Sequence, residues 1–431
     1  MASITSSLMT QLTRRPEKLR LLLGLVQRLR PVARFGPTFL VLGHAEVREV
    51  LERTDEFEYT PDVRRATLLG DFLVGLDDQP ANLREDRLNR QVLDALFDRK
   101  LEPAIKAALE SVEKRLRDLA NGRIPRDLVG DLAEPFLIGF AEHFFGVPAP
   151  TDVRSRVIAS DDPVRILALW VRKSGALLLA PVPAPFGQQR VGEACVVELR
   201  QYLSRVVCRA EATLEARRKR STTALTLADA NNVLEGLLIG LHDMASAGTA
   251  PTRDQIVPAV VRMLGGLLQA ANPTVIKTFV NATEHLLETG RQFTAEGIRS
   301  DAGRQVLLEA LRFRPTFPML ARHCPRTAEL AAGSSCQTTV PAGATVVVSP
   351  MAAMFDPRAI EQPDVFSHER APADYLIFGH GGHRCPGDRI GLRLVQSLLA
   401  WLAEQGFFSN PKTYKMVFDG AAVDAYKMVQ A

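Results

Sequence analysis

The hydrophobic pattern of this chain is dominated by long amphipathic stretches. Apolar residues recur every three or four positions through most of its first two thirds, which is the period of a helix that packs one face against a core. Gly122 and Pro125 separate the first two stretches, because these residues rarely continue a helix. The clearest helical stretches are 93–119, 128–145 and 191–218.

Shorter elements are predicted at both ends of this region. Residues 37–42 form a predicted strand, and 45–53 a helix. Residues 338–340 and 345–348 are predicted to pair as strands around a Pro-Ala-Gly turn, since proline and glycine suit such a turn. A last helix is expected from Pro386 to Glu404, ending at a glycine. The pattern predicts a mainly α fold with a small β region.

The sequence shows no boundary between domains. Residues 1–35 are basic and weakly patterned, and we find no internal repeat, low-complexity tract or linker in the sequence. We therefore predict that residues 1–431 form a single domain. The apolar run 21–26 is too short to cross a bilayer, so no transmembrane anchor is expected. It is expected to pack on the core, with a membrane-facing amphipathic helix as the alternative.

Composition and charge narrow the class of protein. Hydrophobic residues make up 46% and charged residues 24% of the chain, which is an ordinary globular balance. The net charge of +4 is small for this length and does not indicate a nucleic-acid partner. The five cysteines form no Cys-x-x-Cys pair, which argues against a disulfide framework or a structural zinc site and favours a cytoplasmic location.

One glycine-rich segment carries candidate chemistry. The cysteine loop, Phe378–Gly387, places three glycines shortly before Cys385, so its backbone bends sharply or approaches another group closely. With Pro386 at a helix start, the peptide dipoles favour the thiolate form of Cys385, which is the form that binds metal. The alternative is an inert, buried cysteine in a turn.

The spacing of Phe378, Gly381, Cys385 and Gly387 resembles the Phe-x-x-Gly-x-x-x-Cys-x-Gly pattern of the cytochrome P-450 family. The resemblance implies the helical cytochrome P-450 fold around haem b, with Cys385 as the iron ligand. It also implies that His383 pairs with a haem propionate.

Other segments resemble the same family in the same order. Glu309 and Arg312 match its Glu-x-x-Arg motif, and residues three apart share one helix face. Arg370 matches the third member of that structural cluster, although the family's usual residue after Phe366 is absent. Arg322 and Arg90 match two arginines that contact the haem propionates. For Arg90, the alternatives are Arg84 and Arg87.

The chain departs from the family where oxygen is activated. Family monooxygenases carry an acid and a threonine that relay protons, and the aligned stretch 270–274 ends in Pro273 and Thr274. Proline carries no proton and kinks a helix. Branches of the family that use peroxides also depart here, so Asn272 is a candidate contact for a peroxide oxygen; the alternative is that it caps the broken helix.

Three functions remain open at this point. The first is monooxygenation of a small apolar or fatty-acid-like substrate, with a ferredoxin-type electron donor and Thr274 in the proton relay. The second is peroxide-driven oxygenation or fatty-acid hydroperoxide isomerisation without an electron partner. The third is a haem-binding module without catalysis.

The surroundings of the site are predicted more loosely. The apolar stretches 166–170 and 177–186 lie where the family has its lid, which suits an apolar pocket. Arg172 or Lys173 is a candidate to hold a substrate carboxylate, with solvent exposure as the alternative. The basic residues Arg384, Arg389 and Arg393 are candidates to steer an acidic electron carrier, or are simply solvated.

Overall fold

Helices make up most of the structure. The computed structural model describes residues 14, 16–59, 80–118, 125–179, 186–248, 251–289, 293–409, 413–419 and 422–429. The α-helices are Pro16–Leu29 (α1), His44–Glu52 (α2), Pro80–Asp118 (α3), Glu134–Phe140 (α4), Pro163–Leu179 (α5), Phe186–Arg220 (α6), Val233–Ser246 (α7), Arg253–Glu288 (α8), Ala295–Arg299 (α9), Asp301–Phe313 (α10), Pro350–Ala353 (α11) and Asp388–Glu404 (α12). Two π-helical turns, Leu128–Ala133 and Ala141–Phe145, flank α4.

The strands form three small sheets. The strands are Val32–Phe35 (β1), Thr38–Val41 (β2), Glu58–Tyr59 (β3), Leu320–His323 (β4), Ala328–Leu330 (β5), Thr338–Val340 (β6), Thr345–Val348 (β7), Tyr414–Asp419 (β8) and Ala422–Met428 (β9). The largest sheet has the order β1-β2-β7-β4-β3, in which only the β2–β7 pairing is parallel. The other two sheets are the antiparallel pairs β5–β6 and β8–β9.

The predicted fold class, mainly α with a small β region, is confirmed. One predicted pairing is wrong: β6 and β7 do not pair with each other. β6 pairs with β5, whereas β7 lies between β2 and β4. Gly343 has φ +83, so the turn sends the chain from one sheet into another instead of closing a hairpin.

The N-terminal segment is more ordered than its weak patterning predicted. Within the described part of residues 1–35 the chain forms α1 and β1. Leu19 and Leu23 are buried against Met351 and Ala352 of α11, so part of the predicted packing on the core is present. The remaining leucines of this helix are exposed. None of the helices in the described part of the chain is long and apolar enough to cross a membrane.

The long helix α8 runs through the main core and positions the candidate site. Its start is fixed by Thr252 and Gln255, whose side chains each bond to the backbone N–H of the other. Most of its residues are buried among the helices of the largest hydrophobic cluster. A second cluster joins α2 to the largest sheet. The cysteine loop lies where the two meet, because Phe378 packs on the first cluster and Leu376 belongs to the second.

Candidate functional site

The cysteine loop is held against α2. The backbone N–H of Cys385 donates to the carbonyl oxygen of Phe378 at 2.9 Å, which closes the loop. Gly379 and Gly381 have φ +75 and +69, a region in which other residues are strained. A Cβ on Gly381 would lie 2.8 Å from the carbonyl oxygen of Leu51 in α2. Gly381 is therefore required both by the turn and by the close contact.

The electrostatics of the Cys385 sulfur differ from the prediction. α12 begins at Asp388, and Pro386 lies in the turn before it rather than at the first helical position. Cys385 has an exposed surface, but many protein atoms surround its sulfur. The resulting loss of hydration raises the pKa of its thiol. The Gly387 N–H and nearby guanidinium groups act in the opposite direction. The helix start alone therefore does not make this thiol acidic.

Arg90 of α3 bonds to the backbone of the cysteine loop. Its Nη2 donates to the carbonyl oxygen of Arg384 at 3.0 Å and to that of Gly382 at 3.4 Å. Its Nε donates to Asp86 at 2.8 Å. These bonds connect α3 to the cysteine loop. The two alternatives for the predicted propionate contact, Arg84 and Arg87, are exposed.

A tyrosine that the sequence analysis missed brings two predicted residues together. Arg322 of β4 is 4% exposed, and its guanidinium lies over the ring of Tyr59 at 4.3 Å. The same ring meets His383 edge-on, with 4.9 Å between the ring centroids. Tyr59 is placed by the pairing of β3 with β4, where it lies opposite Arg322. No motif marked it, because this register joins segments far apart in the sequence.

The predicted structural cluster forms a buried network. Arg312 donates to both carboxylate oxygens of Glu309, at 2.6 and 3.0 Å, and both side chains are fully buried. Arg370 donates to the same carboxylate at 3.1 Å. The hydroxyl of Tyr375 and the backbone N–H of Ser367 also donate to it. Five donors thus meet one carboxylate.

Burial alone would raise the pKa of Glu309. The bonds from Arg312, Ser367 and Arg370 outweigh that effect, and the pKa of Glu309 lies below its usual value. The guanidinium of Arg312 also donates to the carbonyl oxygens of Met354, Pro363 and Val365. The network therefore connects α10 to the segment that precedes the cysteine loop.

α8 presents a half-buried stripe. Ala270, Ala271, Thr274 and Thr278 are less buried than their neighbours and lie within about 100° of each other around a helix of 3.6 residues per turn. The Thr274 hydroxyl donates to the Ala270 carbonyl oxygen at 2.5 Å. The Thr278 hydroxyl lies 2.6 Å from that of Thr316. Two hydroxyl groups therefore line one side of α8.

Asn272 lies on a different side of α8 from the stripe. It precedes Thr274 by two residues, which puts it about 160° away around the helix. Asn272 is 5% exposed, and its Oδ1 has no partner among the described residues. Its amide is therefore on the packed side of α8, and the contact with a peroxide oxygen stays a prediction.

Pro273 stays within a continuous helix, as its position in α8 shows. Because it has no N–H, the carbonyl of Gln269 loses its usual helical donor. Gly175 of α5 packs there: a Cβ on Gly175 would lie 2.5 Å from the Gln269 oxygen and 2.9 Å from Pro273 Cγ. The helix crossing thus depends on a glycine opposite the proline.

The predicted lid and carboxylate contacts need correction. Ile166, Leu167 and Trp170 of α5 are buried in the largest hydrophobic cluster rather than covering a pocket. Arg172 is 5% exposed and bonds to Glu134 and Asp424, while Lys173 bonds to Asp419. Neither cation is left for a substrate carboxylate, and neither is freely solvated. Residues 180–185 of the second lid stretch lie outside the described residues.

A sequence model of the Cytochrome P-450 family matches residues 32–405, which is most of the chain. The chain belongs to the cytochrome P-450 family. Members bind haem b, iron protoporphyrin IX, so this cytochrome P-450 is a haem-binding oxidoreductase.

Relatives with named activities or ligands match part of the chain or share its fold. The beta-dihydromenaquinone-9 omega-hydroxylase of Mycobacterium tuberculosis is 43% identical over 63 residues, which is 15% of this chain and 13% of that enzyme. Among crystal structures, P450BioI with a hexadec-9Z-enoic acid ligated acyl carrier protein has a TM-score of 0.66 at 18% identity and covers 96% of this chain and 98% of its own. CYP109E1 from Bacillus megaterium with corticosterone has a TM-score of 0.67 at 19% identity, covering 96% and 97%.

The residues of this cytochrome P-450 fit an anionic cofactor at the cysteine loop. Arg322 is buried but has no carboxylate partner among the described residues; it contacts Tyr59 and the Ala321 carbonyl. A buried cation of this kind calls for an anion, because an unpaired charge is costly to bury. The Cys385 side chain is exposed toward solvent and available to a ligand. Haem would supply a propionate for the Arg322 guanidinium and an iron for the Cys385 sulfur.

The basic residues beside Cys385 have local partners. Arg384 bonds to Asp388 at 2.8 Å, and Arg393 bonds to Glu102 at 2.5 Å. Arg389 lies over the ring of Phe97 at 3.8 Å. The positive charge of this surface is therefore partly neutralised.

Proposed function

We propose that this cytochrome P-450 is a monooxygenase of a small apolar or fatty-acid-like substrate. The observation that carries the proposal is the stripe on α8, which offers the Thr274 hydroxyl beside two alanines. The reaction takes a C–H bond, molecular oxygen, a pair of electrons and a pair of protons, and yields an alcohol and water. When bound, haem supplies redox-active iron whose thiolate ligand favours cleavage of the O–O bond.

The chain's own residues would hold the cofactor and deliver protons. We assign Cys385 to the iron, Arg322 and His383 to the propionates, and Phe378, Gly381 and Gly387 to the loop that carries the cysteine. Arg90 would act on the propionates or, as its bonds favour, through the loop. The Thr274 hydroxyl has lone pairs left to accept a hydrogen bond while it donates to Ala270, so it can pass a proton from water.

The substrate class rests on apolar lining and on the relatives. Alanine and threonine along the stripe leave room for an apolar molecule. The names of the relatives refer to a lipid quinone, a fatty acyl group and a steroid. Because the matched region spans 13% of the mycobacterial enzyme, its activity is support for the class and not for one substrate.

The electron donor would be a ferredoxin-type protein that docks near Cys385. Arg389 is the basic residue there whose charge has no carboxylate partner among the described residues. Steering by this surface would make electron transfer faster at low salt.

A second function is favoured by Pro273. Proline cannot hold the proton that an acid at this position would hold, whereas a peroxide arrives with its O–O bond already reduced. Peroxide-driven oxygenation consumes a C–H bond and hydrogen peroxide and yields an alcohol and water. Hydroperoxide isomerisation needs no second substrate.

The test compares oxidants on one substrate. Haem-loaded protein receives hexadec-9-enoic acid with oxygen, ferredoxin and its reductase, or with hydrogen peroxide, or receives a fatty-acid hydroperoxide alone. We expect product from oxygen, and Thr274→Ala should lower the yield per electron by roughly tenfold or more. Thr213→Ala, which removes an exposed helical threonine, is the matched control.

The outcomes separate the candidates. Product from peroxide with little from oxygen would replace the first function by the second. Rearrangement of the hydroperoxide without a donor would identify an isomerase. Protein that binds haem but converts no substrate under any condition would favour a haem-binding module.

A further inference from the structure

Helix α1 has two faces of different character. One face is anchored in the protein: Leu19 and Leu23 are buried, and the Gln27 side chain donates to the carbonyl oxygens of Leu42 and Ala352 at 2.6 and 2.9 Å. The helix is therefore fixed in its orientation. The side chains on its other face are therefore held in a fixed position on the protein surface.

That other face carries four exposed leucines. Leu21, Leu22, Leu25 and Leu29 are 64%, 49%, 64% and 84% exposed. On a helix of 3.6 residues per turn these positions fall within about 100°, so they form one continuous stripe. Single exposed leucines are ordinary, but a contiguous apolar stripe marks a binding surface.

The charge around the stripe is mainly positive. The first 35 residues contain seven Lys or Arg and one acidic residue, while the whole chain has a net charge of +4. The chain's excess positive charge therefore lies in this segment. Lys18, Arg28 and Arg30 are exposed and make no ion pair with any described residue. Lys18 and Arg28 flank the leucines, where their stems and charged heads can reach an anionic surface.

We propose that α1 lies on the surface of an anionic phospholipid bilayer. The leucine stripe enters the boundary between headgroups and acyl chains, and Lys18, Arg28 and Arg30 contact the phosphates. Apolar residues on one face with basic residues beside them are what an interfacial helix needs. The helix lies parallel to the membrane, since its opposite face is bonded to the protein.

The size of the surface argues against a second copy of this chain as the partner. A helix of this length spans about 21 Å and is about 10 Å wide. Its stripe is small beside the roughly 800 Å² that each partner contributes to a stable protein interface. Like charges on two copies would also repel each other. A bilayer needs no shape complementarity and supplies the opposite charge.

The experiment measures binding of the full-length haem-loaded protein to vesicles by flotation. One set contains equal parts of phosphatidylglycerol and phosphatidylcholine, and the other contains phosphatidylcholine alone. We expect the protein to float with the anionic vesicles and to be released by salt. The double variant Leu21→Gln/Leu25→Gln should bind at least tenfold more weakly. Arg28→Gln/Arg30→Gln should lose the preference for anionic lipid.

The matched control is Val197→Gln, which changes an exposed apolar residue on α6. It should float like the unchanged protein. Circular dichroism and haem content would show that each variant is folded.

Three results would overturn the proposal. One is unchanged protein that fails to float with anionic vesicles. Another is a leucine variant that floats as well as the control. The third is a dimer in analytical ultracentrifugation that Leu21→Gln/Leu25→Gln dissociates, since the stripe would then be an interface between copies.

Discussion

Arg322 places a positive charge in a buried position without a carboxylate partner among the described residues. In the absence of haem this charge should cost stability, so Arg322→Met should stabilise the apoprotein by roughly 1–3 kcal/mol. With haem present the sign reverses. Loss of a charge-assisted bond to a propionate should speed haem loss by roughly 10- to 100-fold.

The measurements for Arg322 are urea unfolding of the apoprotein and transfer of haem to apomyoglobin. Arg326→Met is the control, because Arg326 lies shortly after the same strand but is exposed and paired with Asp55. An Arg322 variant with less stable apoprotein and unchanged haem loss would contradict the assignment.

Lys277 is a second buried cation, one turn beyond Thr274. Burial lowers its pKa from 10.5 to about 8, and it has no hydrogen-bond partner among the described residues. Between pH 8 and 10.5 the unfolded chain binds a proton that the folded protein has released, so the free energy of unfolding rises with pH. At pH 7 both states are protonated and the folded state carries the full cost.

Lys277→Met should therefore be more stable than the unchanged protein at pH 7, by up to roughly 3 kcal/mol. The difference should shrink as pH rises from 8 toward 10. Urea unfolding at pH 7, 8 and 9 measures it, with the exposed Lys106→Met as control. A difference that grows with pH would show that the Lys277 ammonium has a partner in the folded protein.

At the scale of elements, Glu309 connects α10 to the segment before the cysteine loop. Glu309→Gln leaves the buried Arg312 and Arg370 without their carboxylate, which should cost roughly 3–5 kcal/mol. Glu404→Gln removes an exposed partner of Arg299 and should cost less than about 1 kcal/mol. Chemical unfolding compares them.

Acid provides a further check on Glu309. Its folded pKa is lowered, so its contribution is present above its unfolded pKa and is lost as pH falls through the folded value. The stability difference between Glu309→Gln and the unchanged protein should therefore narrow below about pH 4. A difference that stayed constant into strong acid would contradict the network.

The crossing of α5 and α8 depends on Gly175. A methyl group there would meet the backbone of Gln269 and the ring of Pro273. Gly175→Ala should destabilise the protein by roughly 1–3 kcal/mol through the forced shift, although alanine is the better helix former. Gly24→Ala in α1 has open space and should stabilise by up to about 1 kcal/mol. Thermal unfolding of both variants tests the contrast; equal effects would rule out the clash.

At the scale of the molecule, the sequence predicted what depends on local order. The long helices follow from periodicity, and the segments around Glu309 and Cys385 follow from motif spacing. The side of α8 that Asn272 occupies could also be predicted from the sequence, because residues two positions apart on a helix lie on different faces. The position of Tyr59 and the separation of β6 from β7 could not be predicted in this way, because strand register depends on partners far along the chain.

Haem removal should affect the molecule unevenly. The cysteine loop joins the two hydrophobic clusters, and Arg322 and Tyr59 border it. Without haem, amide hydrogen exchange should speed up in the loop, β3 and β4, while α4 and α8 stay protected. Mass spectrometry of peptides from apo- and holoprotein measures this. Uniform acceleration across both regions would contradict the expectation.

The bonds around Arg312 and Arg370 also affect how this region can evolve. Both guanidinium groups donate to backbone carbonyls of Pro363, Val365 and their neighbours, which every amino acid provides. Ser367 likewise offers Glu309 its backbone N–H. Between α11 and the cysteine loop, the side chains of Arg370 and Tyr375 are needed for the network, whereas Pro363, Val365 and Ser367 contribute only backbone groups. Substitutions at these backbone-only positions that keep the N–H of residue 367 therefore leave the network intact. The absence of the family's usual residue after Phe366 is compatible with this arrangement.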